Sequence, residues 1–246
     1  MNSHQLKLDE SYLLFQKWWK STELTNYEKC SLNNEIITFN QQLLRLKEKI
    51  IRIGVYGKTG VGKSSISNRI LQEKFFQTGI LNGSIQSAHS KEFTLKNNFI
   101  KAVELFDFPG FDICNPNYKK VQIQNLRTLD LILFITSGDL NRQELDKLLW
   151  LIKQGKNIIL IINKIDIWKK EEIEIIKNNI REKLPINSLI PIITYSIKNN
   201  YLCDKNKIYN YLNTTLNRIG YSLVIYNTYQ IANNLANNIK EKRLIK

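Results

Sequence analysis

The stretch that most restricts this chain is Gly57-Lys58-Thr59-Gly60-Val61-Gly62-Lys63-Ser64: a glycine, four residues, then Gly-Lys-Ser. This is the spacing of a phosphate-binding loop, or P-loop. The apolar run Ile50 to Val55 precedes it and reads as a buried strand. A helix-forming pattern follows from about Ser64 to Glu73. Strand, loop and helix in that order let the glycines turn backbone N–H groups inward, with the positive end of the helix behind them. In such a loop Lys63 reaches the β- and γ-phosphates of a nucleotide, and the Ser64 hydroxyl ligates Mg²⁺. A glycine-rich turn matching by chance is the competing reading, and the rest of the chain weighs against it.

Residues 51–219 alternate strands and helices as a parallel sheet covered on both faces requires. Ile51–Tyr56 reads as the first strand, and residues 75–92 as a loop. Phe93–Leu95 and Ile100–Phe106 flank Asn97-Asn98 as a hairpin. A helix is expected from about Tyr118 to Leu129, a strand over Leu131–Ile135, and a helix over Asn141–Gln154 that Gly155 ends. Asn157–Ile162 and Ile190–Thr194 read as strands around a helix, Glu171–Leu184. A helix from about Asp204 to Arg218 closes the unit at Gly220.

Helices flank this unit. In residues 1–50, Leu13, Leu14, Trp18 and Trp19 suggest one amphipathic helix. Leu32, Ile36, Phe39, Leu43, Leu46 and Ile50 mark a second, with Ser31 or Asn33 as its cap. Residues 220–246 give a further helix, with Leu223, Tyr226, Ile231, Leu235 and Ile239 on one face, expected to pack beside the N-terminal helices. The tryptophan pair reads as packing on the body of the protein, or else as a partner or membrane surface.

Two further motifs narrow the chemistry. Val103-Glu104-Leu105-Phe106-Asp107-Phe108-Pro109-Gly110 sets an aspartate at the end of an apolar strand, just before a glycine. Asp107 there can hold Mg²⁺, and the Gly110 amide can sense a γ-phosphate. Asn163-Lys164-Ile165-Asp166 follows another strand. The Asp166 carboxylate can accept two N–H groups from a guanine edge. Adenine lacks that pair and would leave the carboxylate unpaired, at about 1–3 kcal/mol. Lys164 would lie along the base, and Asn163 would brace the two loops. All three motifs fall at the carboxyl ends of expected parallel strands, where open α/β sheets bind ligands.

On these motifs, residues 51 to about 218 resemble a translation-factor-class G domain, most closely the Era-like GTPases and the bacterial proteins described as ribosome-binding GTPases. The resemblance implies a Ras-like three-layer fold: a mostly parallel six-stranded sheet with one antiparallel strand. It also implies GTP and GDP as ligands, Mg²⁺, and a switch gated by GTP hydrolysis, expected to be slow here because Phe111 takes the place of a water-orienting residue. The binding residues it implies are Gly57 to Ser64, Ser65, Asp107, Gly110, Asn163, Lys164 and Asp166, with Lys63 and Gly110 acting in hydrolysis. Ile193-Thr194-Tyr195-Ser196-Ile197-Lys198 resembles the family's last motif, usually Ser-Ala-Lys, and Ser196 is carried over as a backbone contact to the base. The threonine that ligates Mg²⁺ in the family has three candidates, Ser87, Thr78 and Ser90, of which Ser87 is best spaced. Phe111 stands where Ras-type enzymes place a water-orienting glutamine, and it cannot orient water. Potassium-using members carry asparagine where this chain has Gly60, which argues against potassium activation.

The chain has 246 residues, 43% apolar, enough to bury a core. No apolar run reaches the roughly 20 residues of a membrane span. Asp9, Glu10 and the lack of an apolar stretch before them argue against a signal peptide. Cys30, Cys114 and Cys203 are far apart and read as free thiols of a reducing compartment, the cytoplasm or an organellar stroma. The net charge of +14 suggests ribosomal RNA or an anionic membrane surface. Richness in Ile, Asn and Lys offers AT-rich coding as its alternative source. Besides a GTPase switch, two readings stand. One is a GTP-binding interaction module that dimerises through nucleotide or associates with a membrane while hydrolysing little. The other is an ATP-dependent enzyme, which Asp166 disfavours.

Overall fold

The structure is a computed structural model that describes residues 3–77, 89–95, 99–112, 123–186, 188–197 and 206–244. It opens with three helices, Ser3–Ser21 (α1), Asn26–Ser31 (α2) and Asn33–Glu48 (α3). The strand Ile50–Gly57 (β1) leads into the helix Lys63–Leu71 (α4). Strands His89–Phe93 (β2), Ala102–Asp107 (β3) and Leu131–Thr136 (β4) follow. Then come helix Arg142–Lys153 (α5), strand Ile158–Ile162 (β5), helix Lys170–Lys183 (α6), strand Ile192–Thr194 (β6) and helix Lys207–Leu244 (α7).

The strands form one sheet in the order β2-β3-β1-β4-β5-β6. Among the described strands only β2 runs antiparallel to its neighbour; the β3-β1, β1-β4, β4-β5 and β5-β6 pairs are parallel. The central strands are apolar on both faces because helices cover both. Period-two alternation sends Leu131, Leu133 and Ile135 of β4 to the face packed with Ile53, Ile66, Leu212 and Leu216. Ile132 and Phe134 point to the other face, with Leu148, Leu151, Ile176 and Ile180. Open α/β order, helices on both sides and a single antiparallel edge strand are the architecture the motifs imply.

Several boundaries differ from expectation. Residues 89–92, read as loop, are most of β2; backbone pairing with β3 makes this strand, although His89, Ser90, Lys91 and Glu92 show no apolar alternation. Of the helix expected over 118–129, the described part is helical at 123–127. The Asn97-Asn98 turn lies outside the described residues.

Gly220 does not end a helix. One helix of 38 residues runs through it. A Cβ there would come 2.5 Å from Ile100 Cδ1 and 2.9 Å from Ile51 Cδ1, so this glycine permits close approach of α7 to the sheet. The boundary expected at 219/220 therefore falls inside a continuous element.

Of the residues assigned to the amphipathic face of α1, Leu13 and Leu14 are exposed, at 60% and 69%. Leu8, Tyr12 and Phe15 pack inward instead, because the tertiary contacts of α1 select a different stripe. The tryptophans do turn inward: Trp18 and Trp19 meet Phe39 of α3 edge-on, with ring centroids 5.4 and 5.3 Å apart. Phe39, Leu43 and Leu32 join Ile231, Leu235 and Ile239 in a helical core, which Tyr226, exposed, does not enter. Neither Ser31 nor Asn33 caps α3; Leu32 precedes it without a side-chain cap. The capping box belongs to α2, where the Thr25 hydroxyl accepts from the Glu28 N–H and Glu28 accepts from the Thr25 N–H.

At the amino ends of the strands a buried polar cluster joins helices to sheet. Asp130, just before β4, accepts from the Arg52 N–H (2.8 Å) and from Asn227 Nδ2 of α7 (2.9 Å). Gln42 Nε2 of α3 donates to Thr228 Oγ1 of α7 (3.1 Å). Lys156 Nζ donates to the Leu129 carbonyl (3.2 Å) and to Asn227 Oδ1 (3.0 Å).

Candidate guanine-nucleotide site

At the opposite, carboxyl edge of the sheet the three motifs meet. The loop leaving β1 takes positive φ at Gly60 (+80°) and Gly62 (+96°), a region open to glycine without strain. Gly62 is doubly constrained, since a Cβ would come 2.4 Å from Asn163 Nδ2. This bend carries the chain into the amino terminus of α4 at Lys63.

Lys63 is buried, and its Nζ donates to the Lys58 carbonyl at 2.8 Å. Burial lowers its pKa, opposed by the charges of Asp107 and Asp112. Ser64 Oγ donates to Asp107 Oδ2 at 2.6 Å, and Ser67 Oγ donates to Asp107 Oδ1 at 3.2 Å. Burial raises the Asp107 pKa, with the Ser64 hydrogen bond and Lys63 pulling the other way. Strand register explains the meeting: Asp107 ends β3 directly beside Val55 of β1. Ser67 was missed in the sequence, although it stands one helical turn after Lys63 and Ser64 and so shares their face.

After Asp107 the chain crosses the P-loop. The Phe108 N–H donates to the Val55 carbonyl (3.2 Å) and the Phe111 N–H to the Gly57 carbonyl (3.4 Å). Gly110 lies against Thr59, whose N would be 2.6 Å from a Cβ at that position. Phe111 is buried, its ring 5.5 Å from Tyr56 and 6.3 Å from Phe134. Its side chain therefore belongs to the core. Asp112, which the sequence did not single out, accepts from the Thr59 N–H (2.7 Å) and hydroxyl (2.9 Å).

The third motif follows β5. Asn163 is fully buried; its N–H donates to the Thr136 carbonyl (2.7 Å) and its Nδ2 to the Val61 carbonyl (2.8 Å). Asn163 thus braces the two loops, as expected. Lys164 takes a left-handed conformation and donates from Nζ to the Gly60 carbonyl at 2.7 Å. Asp166 sits in a short 3₁₀ turn, Ile165–Ile167, and accepts from Ser196 Oγ at 2.5 Å. Ser196, expected to contribute its backbone to a base, engages Asp166 through its hydroxyl. The turn is tied to the segment after β6 by the Ile165 N–H, which donates to the Tyr195 carbonyl (3.3 Å).

Gly57, Lys58, Thr59, Gly60, Val61, Gly62, Lys63, Ser64, Asp107, Gly110, Asn163 and Lys164 therefore share one edge of the sheet, and Asp166 and Ser196 lie beside them. Ser65 begins a neighbouring cleft of about 790 Å³ that Arg69, Phe75 and Ile197 also line. Ser90 is exposed on the edge strand. Ser87 and Thr78 lie outside the described residues. Among the described residues no group of three His, Cys, Asp or Glu side chains forms a metal cluster, and no helix is long and apolar enough to cross a membrane.

Comparison with known proteins agrees with this geometry. Residues 52–164 match the family model described as 50S ribosome-binding GTPase. A protein named GTPase Der from Nitratiruptor is 33% identical over 126 residues, 49% of this chain and 27% of that protein. GTPase Der from Campylobacter hominis is 33% identical over 147 residues, 57% of this chain and 31% of its own. The chain thus spans less than a third of these relatives. Among solved structures, Era of Aquifex aeolicus bound to GDP and AlF₄⁻ shares the fold at TM-score 0.50 and 24% identity, over 60% of this chain and 51% of Era. Through residues 52–164, with the P-loop, Asp107-Phe108-Pro109-Gly110 and Asn163-Lys164 each at its structural place, the chain is similar to the family described as 50S ribosome-binding GTPase.

Proposed function

We propose that this chain binds GTP and GDP and hydrolyses GTP slowly as a switch. The observation that carries the reading is Asn163: fully buried, it ties the Asp166 turn to the phosphate-binding loop through the Val61 carbonyl. That bond holds a base-reading carboxylate and a phosphate-reading lysine in one frame. Asp166, oriented by Ser196, accepts from the guanine edge; Lys164 lies along the ring. The N–H groups of Thr59 to Ser64 cradle the phosphates, and Lys63 neutralises the charge that develops as water attacks the γ-phosphorus.

The residues fit Mg²⁺. The Ser64 hydroxyl and the Asp107 carboxylate are 2.6 Å apart in a largely buried position, and oxygen donors of this kind suit a hard cation. Ser64 would ligate it directly and Asp107 through water, with Ser87 the candidate third ligand. The ion supplies neutralisation of the β- and γ-phosphate oxygens. With Phe111 in the core, no side chain at that position orients the attacking water, so the chain's own turnover is slow.

Calorimetric titration with GTP, GDP and ATP in magnesium is the test. Guanine nucleotides should bind and ATP should not. Lys63→Ala should abolish single-turnover hydrolysis. Equal affinity for ATP and GTP would overturn the assignment. The buried Phe111 also favours the interaction-module reading, in which nucleotide stabilises a dimer and hydrolysis is negligible. Sizing in GDP and in GTP beside the turnover assay separates the two.

For the partner we propose ribosomal RNA, which sets the chain in a ribosome's compartment, cytoplasm or organellar stroma. Support comes from the +14 charge and from a solved complex of Era with a fragment of 16S ribosomal RNA, 24% identical at TM-score 0.52. Co-sedimentation with ribosomes should fall steeply with salt. Binding to anionic vesicles alone would move the assignment to a membrane surface.

A further inference from the structure

Asp112 lies outside every motif that led to the site, yet it touches the phosphate-binding loop directly. Its Oδ1 accepts both the Thr59 N–H (2.7 Å) and the Thr59 hydroxyl (2.9 Å). Thr59 is the residue of the loop that faces Gly110, whose α-carbon packs so closely that a Cβ would lie 2.1 Å from Thr59 Oγ1 and 2.5 Å from Asp112 Oδ1. Backbone N–H groups of such a loop are anion receptors. Here one of them is engaged by a carboxylate of the same chain, close enough to Lys63 for each to shift the other's pKa. Main-chain bonding fixes the approach, since the Phe111 N–H donates to the Gly57 carbonyl and the Phe111 ring is anchored against Tyr56.

We infer that Asp112 is an internal competitor for the terminal phosphate, and so sets the preference of the site between nucleoside triphosphate and diphosphate. The inference rests on the GTP-binding reading above. A diphosphate leaves the Thr59–Gly110 end of the loop to Asp112. A triphosphate brings its own anion to that end, where it must displace the carboxylate from Thr59 and lie beside it without a shared proton. Like charges at that range oppose one another. Asp112 is thus a specificity-determining residue whose contact favours the diphosphate-bound form. No covalent step involves it.

The test compares wild type, Asp112→Asn and Asp112→Ala for GDP and for a non-hydrolysable GTP analogue, in magnesium. Asparagine keeps an oxygen acceptor for Thr59 but removes the charge; alanine removes both. The ratio of analogue to GDP affinity should rise about threefold to tenfold in Asp112→Asn and about tenfold or more in Asp112→Ala, from loss of a charge-assisted contact. GDP affinity should stay within about twofold, which also reports that the variants fold. An unchanged ratio in both variants, with wild type binding both nucleotides, would overturn the role of Asp112 and leave the GTP-binding reading standing. A fall in the ratio would overturn it too, by making Asp112 a supporter of the triphosphate. Failure of wild type to bind either nucleotide would sink both.

Discussion

At the scale of residues, the site is a set of side chains held by main-chain oxygens. Lys63, Lys164 and Asn163 donate to the carbonyls of Lys58, Gly60 and Val61 in the same loop. These bonds tie the loop to the start of α4 and to the turn after β5. On the GTP-binding reading, base choice depends on one acceptor, Asp166. Asp166→Asn removes the charge and converts one acceptor oxygen to a donor, facing the donors of guanine. GTP affinity should fall by about tenfold to a hundredfold, and xanthosine triphosphate should gain relative to GTP. Competition titration of the two nucleotides reads the exchange. Unchanged GTP affinity would place the base elsewhere.

Elements bring these residues together by register and by close packing. Asp107 meets Ser64 because β3 pairs with β1 so that Asp107 stands beside Val55, and Ser64 opens the helix that follows. The long helix α7 packs against β1, and Gly220 faces Ile51 of that strand and Ile100 just before β3. Replacing Gly220 by alanine would add helix propensity of about 1 kcal/mol, but the new methyl would press on two buried isoleucine termini. Gly220→Val adds more volume and a β-branched side chain. It should destabilise the chain by about 2 kcal/mol or more through overpacking. Urea unfolding measures it, and a stability equal to wild type would mean that α7 lies farther from the sheet.

For the whole molecule, polar contacts among the described residues tie the flanking helices to the sheet and to one another, and two of them can be tested. One is the cluster around Asp130 under the sheet. Asn227→Ala would leave Asp130 and Lys156 each short of a partner in a buried place, at about 1–3 kcal/mol. Denaturant unfolding should register that cost as an earlier midpoint with an unchanged slope. The other is at the far end of the helices, where Arg243 Nε of α7 donates to Glu28 Oε1 at 2.7 Å and the Thr25 N–H donates to Oε2 at 2.8 Å. The Arg243 hydrogen bond first, then the Thr25 N–H, lower the Glu28 pKa from 4.5 to about 2. The folded form therefore holds the ionised carboxylate more firmly than the unfolded chain does. Its contribution is complete above about pH 4.5 and is lost as pH falls through about 2. Wild type should exceed Glu28→Gln in stability at neutral pH, and the gap should close towards pH 2. A gap independent of pH would show that the carboxylate charge is not what holds the helices there.

The sequence by itself determined the chemistry and the class of fold. The spacing of Gly57 to Ser64, Asp107 before Gly110, and Asn163 to Asp166 are local patterns, and each needs only a strand to end beside it. Runs such as Leu131–Ile135 announce central strands because burial on both faces demands apolar residues throughout. Tertiary structure decided what depends on a distant partner. Edge strand β2 has no apolar alternation and exists through its backbone pairing with β3. Gly220 reads as a stop in sequence and serves as a contact because the Ile100 side chain would lie 2.5 Å, and that of Ile51 2.9 Å, from a methyl there. Which stripe of α1 is inward was set by Phe39 and α7, leaving Leu13 and Leu14 in water. Asp112 carries no motif, and only the fold shows that its carboxylate reaches Thr59, 53 residues earlier.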